Sequence, residues 1–382
     1  MRNRQSNCIS SLLLSCNVVV IKRLEMGMVA RTFFVMMMLV ALSATASARS
    51  INIIVVDSIS VPKATLQPAA EHDTTIFFPA FGTRGVVDTT KLGTDGIKSY
   101  GRSPGHSQVD WTKFGIASGS LILAIGALHV YQLNAWWANQ RTTFHVIDDV
   151  DYKANFDKAG HTFGAYYSSH FFGEAFNWSG FDSAQSDALA ATCGLLWELY
   201  VEIEDGYARD WGFSRGDAIS DFSGAGFYLL RNRIPYLRNL EYKWTYFPSQ
   251  QLLENKPDIP GQSLNFIEDY GGQSYWLSMN IHGMLPEAAK PYWPEWLNLA
   301  VGVAGWNLDA RTPDGYNDFS KRKKAWLIAL DYDIGRLIPE SDIGIINFIR
   351  RGLDYWHFPA PAYRIYPEPR FYILFPFRMS IG

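Results

Sequence analysis

The pattern of apolar and charged positions divides the chain before any motif is considered. Between Phe114 and Gln140 there is no Lys, Arg, Asp or Glu, and the stretch reads FGIASGSLILAIGALHVYQLNAWW at its core. About 20 apolar helical residues cross a hydrocarbon layer of about 30 Å, so this pattern predicts a membrane-spanning helix. Trp136 and Trp137 suit an interfacial aromatic belt, and Gly115-x-x-x-Gly119 offers a small face to another helix. His129 is read as a packing residue. A buried core helix is the alternative; the length and the lack of charge favour the membrane.

Three more helices are predicted, over 157–176, 186–205 and 216–233, the last stopped by Pro235. Each carries polar residues at an end or on one stripe. Asp157 and His161 are four apart; Glu198, Glu202 and Asp205 follow a 0, 4, 7 spacing; Asp217 and Asp221 are four apart. Such spacings share one helix face. Glu204 lies off that face and is read as solvated. Ionisable groups within apolar helices must face a protein interior or a wet cavity, so the three helices should pack with the 114–137 helix and let their stripes converge. Each pair also has a plainer reading. Asp157 favours the helix dipole from the first turn, Ser214 and Asp217 form a capping pattern, and Glu198 with Glu202 could face water. The coincidence of all three favours a shared polar site.

The last third changes period. Leu299, Val301 and Val303 alternate with Ala300, Gly302 and Ala304, and Trp326, Ile328, Leu330, Tyr332 and Ile334 alternate with Leu327, Ala329, Asp331 and Asp333. Both are strands with one apolar face. Over 342–356, Ile343, Ile346, Ile349, Leu353 and Trp356 share a helical face, with Arg350 and Arg351 beyond it. FPAPAYRIYPEPRFYILFPF closes the chain as aromatic extended segments. The options are a small sheet or partial barrel packed on the helices, or strands and an amphipathic helix at a membrane interface. A complete outer-membrane barrel is not expected, because too few long alternating segments are visible.

The N-terminal part supplies an address. Arg31 precedes TFFVMMMLVALSATASA, which ends in Ala46-Ser47-Ala48 and reads as an export signal cleaved after Ala48. The start fits Met26 or Met28. A lipoprotein box ending at Cys16, in LLLSC, is a weaker reading because it ignores the downstream signal. Residues 49–110 mix Pro, Gly, Thr and charge without period and read as an extended linker. Cys8, Cys16 and Cys193 are the only cysteines; once the first two leave with the signal, Cys193 builds neither a disulfide nor a zinc site.

The 382 residues carry a net charge of −3, which gives no basic field for nucleic acid. Mean hydropathy near zero excludes a transporter made mostly of spanning helices, and 15% aromatic residues exclude a disordered chain.

FHVIDDVDYKANFDKAGHTFGAYYSS, then ELYVEIEDGYARDWGFSRGDAISDFSGAGF, then YKWTYFPS resembles the YfiM-like family of uncharacterised exported envelope proteins. Carried over from that resemblance are Asp157, Lys158 and His161; Glu202, Asp205 and Gly206; and Phe213, Ser214, Asp217, Asp221 and Gly224. Where that family usually has Asn, this chain has Asp221. The resemblance covers roughly 135–250, and more loosely the C-terminal part. VanZ-like membrane proteins are similar more distantly and imply an intramembrane polar pocket.

The reading is therefore mainly α: a membrane-associated bundle of about four helices over 111–250, followed by a smaller mixed α/β region over 251–382. It implies an exported envelope protein facing the periplasm, in contact with membrane lipid and not nucleic acid. Its site would comprise His161, Asp157, Glu202, Asp205, Asp217 and Asp221, acting on or binding lipid-linked material, with a hard divalent cation as the candidate cofactor. The alternative is a non-catalytic protein whose polar cluster fixes helix packing.

Overall fold

The computed structural model describes residues 108–137, 141–255, 265–308, 310, 318–377 and 379–381. The export signal, the Cys16 box and nearly all of the 49–110 linker lie outside them.

Helix α1 (Trp111–Asn134) begins at Asp110, whose side chain caps the amides of Thr112 and Lys113. Its 24 residues would extend about 36 Å at 1.5 Å per residue. Ile125, His129 and Gln132 are its only buried residues, while Ile116, Ile122, Leu123, Leu128 and Val130 are exposed. Gly115 and Gly119 meet nothing within 4 Å among the described residues, so no described helix occupies the small face anticipated there. Trp137 is also not at an interface. It is buried and donates to Asp205. The His129 ring packs as expected, sharing a 2.6 Å hydrogen bond with Tyr200.

Helices α2 (Phe156–Trp178), α3 (Ser183–Gly206) and α4 (Arg215–Arg233) form the helical core. Asp182 caps α3 and Ser214 caps α4. Small residues let them approach closely. A methyl group at Gly224 on α4 would sit 2.1 Å from the Thr162 carbonyl oxygen on α2. At Gly164, one turn after His161, it would sit 2.9 Å from the Glu198 carboxylate. The stripes converge because these positions lack side chains. A short parallel pair, β1 (Val146–Ile147) with β2 (Phe213–Ser214), ties the entry of α2 to that of α4.

The C-terminal region is more β than the anticipated mixed α/β region. Seven antiparallel strands run in sequence order: β3 (Leu240–Tyr246), β4 (Gln273–Met279), β5 (Leu297–Trp306), β6 (Lys323–Tyr332), β7 (Ala360–Tyr366), β8 (Arg370–Phe375) and β9 (Met379–Ile381). A flat sheet would hold β3 and β6 about 14 Å apart. Yet Lys243 Nζ on β3 lies 2.8 Å from Asp331 Oδ2 on β6, so the sheet curls around this pair. Phe377, after β8, packs on Phe247, after β3, with ring centroids 5.3 Å apart. Tyr242, Trp244 and Tyr275, on the convex face, pack against Phe163 of α2. Helix α5 (Gly344–Leu353) joins the helical core through Arg351 and Glu174.

Candidate functional site

The entry to α2 sets the site. Lys153, Ala154 and Asn155 all adopt positive φ, a reversal that α2 follows, with Asp157 and Lys158 in its first turn. Asp157 is buried; Lys158 and His161 are partly accessible. Lys158 Nζ bridges three carboxylates: Asp149 at 2.7 Å, Asp217 at 2.9 Å and Asp157 at 3.0 Å. Asp157 also accepts a hydrogen bond from Tyr270, at 2.5 Å.

His161 stands at the centre. Its Nδ1 is 3.0 Å from Asp221 Oδ1. Its Nε2 faces three more carboxylates, Glu202 at 3.7 Å, Asp217 at 3.9 Å and Asp157 at 4.0 Å, each beyond hydrogen-bond range. The partner that orients the ring is therefore Asp221, sixty residues away, and not Asp157 one turn before it. Asp157 is taken up by Lys158 and Tyr270 instead. Glu202 accepts from the Ser214 amide at 2.9 Å. Ser214 Oγ donates to Asp149 and accepts from the Asp217 amide. The cap and the site are thus one construction: Ser214 starts α4 while aiming Asp217 inward. Asp205 is held from the far side by Trp137.

Burial and charge act against each other here. Burial alone would lower the His161 pKa; the Asp221 hydrogen bond and the charges of Asp157, Asp221 and Asp217 outweigh it and hold His161 well above its usual value. Burial opposes Asp157 as well, but His161, Lys158 and Tyr270 keep it below the usual carboxylate value. The remaining acids go the other way. Burial pushes Glu202 up to about 9, Glu198 to about 8, and Asp205 and Asp217 to about 7, against the pull of His161. Asp221 is also raised by burial, in opposition to its bond with His161. More carboxylates are gathered than the two cations can neutralise, so protons or another cation must make up the difference.

All six residues anticipated from sequence, Asp157, His161, Glu202, Asp205, Asp217 and Asp221, border this one region. Asp149, Tyr270 and Trp137 were missed, since none shares a stripe with the others. Glu198, visible on its stripe, belongs beside His161 and Asp221. Glu204 is not solvated: it is buried and paired with Arg141 at 2.6 Å.

Residues 147–233 match a family described as "predicted periplasmic lipoprotein (DUF2279)". That segment runs from the short parallel pair through α4 and contains Asp149 and every carboxylate facing His161. The match supports an exported, periplasm-facing protein of the cell envelope. Trp137 and Tyr270 come from outside the matched segment, so this chain's flanks complete its site. The comparisons with curated proteins and with solved structures returned no match.

Among the described residues, two donor sets have ligand atoms within 4.8 Å of one another: Asp157, His161 and Asp217, and His161, Glu198 and Asp221. A hard cation takes oxygen ligands at about 2.0–2.6 Å, which this spacing fits. In the first set the Lys158 ammonium already occupies both aspartates. The second set has no lysine across it; a cation there would displace the proton shared by His161 and Asp221 and be held by Glu198 and Asp221.

Proposed function

We propose that this protein is a membrane-attached envelope protein whose α2–α4 cluster is an acid/base site acting on or binding lipid-linked envelope material. The observation that carries the reading is the position of His161. One ring nitrogen is fixed by Asp221, and the other faces Glu202, Asp217 and Asp157 across 3.7–4.0 Å. A fixed imidazole surrounded by acids of raised pKa is equipped to hold a proton and pass it on. Asp217, raised to about 7, and Glu202, raised to about 9, are its acid/base partners. Glu198 and Asp221 are the residues that would hold a hard cation, which would supply charge stabilisation. Ser214 is not assigned a nucleophilic role, since its hydroxyl is committed to the cap and to Asp149.

Membrane attachment through α1 is supported by its length, its lack of charge from Phe114 onward and the exposure of its apolar side chains. The YfiM-like resemblance belongs to the same reading, because its three elements fall on the residues that surround His161. A structural role is favoured by one specific observation: Lys158 is held by three carboxylates in a largely closed setting. In that reading the cluster locks the helices in register.

The test is complementation of a deletion strain, scoring envelope lipid composition by mass spectrometry and protein abundance by immunoblot. Wild-type protein should restore the profile, and His161→Ala should fail to restore it at unchanged abundance. Full restoration by His161→Ala, or a deletion that leaves the lipid profile unaltered, contradicts an acid/base role.

A further inference from the structure

The curled sheet buries its concave side, where Trp276, Leu327, Ala329 and Phe375 form an apolar core. The same layer holds Lys243, Asp331, Asn298, Ser278 and Arg364, all buried. Its convex layer is apolar: Leu277, Val301, Ile328, Tyr363 and Ile373 lie on five successive strands and are 39–46% exposed. In a water-soluble antiparallel sheet the solvated face is the polar one. Here water would meet the aliphatic side chains while the ion pair is sealed within.

Helix α5 repeats the inversion. Ile343, at its N-terminus, and Ile345, Ile346 and Ile349 point outward and are exposed. Arg350 is buried, donating to the carbonyls of Gly335 and Ile338 and to Glu340. Arg351 turns in to Glu174. Sequence periodicity alone would assign the isoleucine face to a core; the fold presents it to the surroundings.

We propose that the convex face of β4–β8 and the isoleucine face of α5 lie against the acyl chains of a bilayer. Three observations favour lipid over a protein partner. Between the rims the band carries no charged side chain, and Leu277, Val301, Ile328 and Ile373 offer no donor or acceptor, whereas a protein interface carries about one hydrogen bond per 100–200 Å². Aromatic side chains mark both rims: Trp296 beside Tyr332 at one, Trp326 paired with Tyr366 at the other, as in the girdles of membrane sheets. Charge resumes beyond them, at Glu295 and Arg336 on one side and Lys323, Lys324 and Arg370 on the other. The β3 edge is not left open to lipid, because Trp244 exchanges backbone hydrogen bonds with Tyr355 and His357. The inference rests on surface polarity and is independent of the role of the His161 cluster.

Site-directed spin labelling of the full chain tests it. Val301→Cys and Ile328→Cys, in a background with Cys8, Cys16 and Cys193 replaced by Ser, are labelled and reconstituted into phosphatidylethanolamine/phosphatidylglycerol vesicles. Both labels should be several-fold more accessible to oxygen than to a polar nickel chelate, and a label at Glu295→Cys should show the reverse. Ile373→Cys, on another strand, repeats the reading should either of the first two not fold. Nickel accessibility at Val301 and Ile328 equal to that at Glu295 overturns the proposal, because the face is then in water. Shielding from both reagents also overturns it, because a second copy or another protein then covers the face.

Discussion

The molecule buries charge in two places, and the two differ in balance. In the sheet, Lys243 is shared between Asp331 and Asp354 and also donates to the Tyr332 carbonyl. Asp331 takes Ser278 as well, and Asp354 takes the Ile334 amide. Two aspartates share one ammonium there, an excess of a single carboxylate, and among the described residues Asp331 Oδ1 has no hydrogen-bond partner. Among α2, α3 and α4, by contrast, Asp149, Asp157, Glu198, Glu202, Asp205, Asp217 and Asp221 surround Lys158 and His161. A buried network this close to balance holds a fold together. One with surplus carboxylates is left dependent on protons or a cation, and so responds to its surroundings.

Removing the central lysine from each network breaks the comparison most severely. Lys243→Met leaves aspartates buried without their cation, which costs about 3–5 kcal/mol of a typical stability of about 5–15 kcal/mol. The variant should be nearly absent from the envelope by immunoblot. Lys158→Met should be milder, because Asp217, raised to about 7, can take up a proton in the ammonium's place. Equal loss in both would erase the distinction drawn here.

Next in size is the response to pH. Glu202, Glu198, Asp205 and Asp217 have folded values raised above their ordinary ones. The folded state therefore holds protons that the unfolded state has already lost. Stability from this source is fully present below about 4.5 and is lost as pH rises toward about 9. His161, also raised, acts in the same direction above its ordinary 6.5. Asp157, lowered, acts oppositely, and its contribution is lost only as pH falls below its ordinary 3.8. The thermal midpoint of chelator-treated protein in detergent should fall by on the order of 10 °C between mildly acidic and mildly alkaline buffer. Glu202→Gln should flatten that slope. A midpoint that rises over the same range would contradict the surplus of buried acid.

A smaller effect is expected from Gly224→Ala. The added methyl meets the Thr162 carbonyl oxygen, so α2 and α4 must separate, at a cost of about 1–3 kcal/mol. The separation would also pull Asp221 from His161. Calcium or manganese should then shift the melting of the variant less than that of wild type. An undiminished shift would place any cation site elsewhere.

Processing changes no contact in the fold and has the least effect on this comparison. Intact mass of the exported protein should give a mature start at Arg49. A lipid-modified Cys16 would instead favour the processing implied by the name of the matched family.

Sequence pattern reveals these two regions unequally, for physical reasons. The helices are legible because each buries one stripe, so Glu198, Glu202 and Asp205 announce a face. β5 and β6 are legible because small residues on the concave side alternate with large ones outside. β3 is not, because both of its faces are covered. Tyr242 and Trp244 pack on Phe163 of α2, Glu241 pairs with Arg231 of α4 and Lys243 points into the curl, so no contrast remains to read. The bond between His161 and Asp221 joins residues sixty apart and leaves no local trace. Asp149 and Tyr270 lie on a loop and a short turn, where no period exists. Glu204 was misassigned because its partner, Arg141, lies 63 residues earlier.

The surplus of buried acid is the central claim, and infrared spectroscopy reads it directly. Chelator-treated full-length protein at pH 7 should show the C=O stretch of protonated carboxyl groups. Part of that band should be missing in Glu202→Gln, and the wild-type band should vanish as pH rises through about 9. A spectrum at pH 7 with no protonated carboxyl band would mean the acids are all ionised, and would contradict the account.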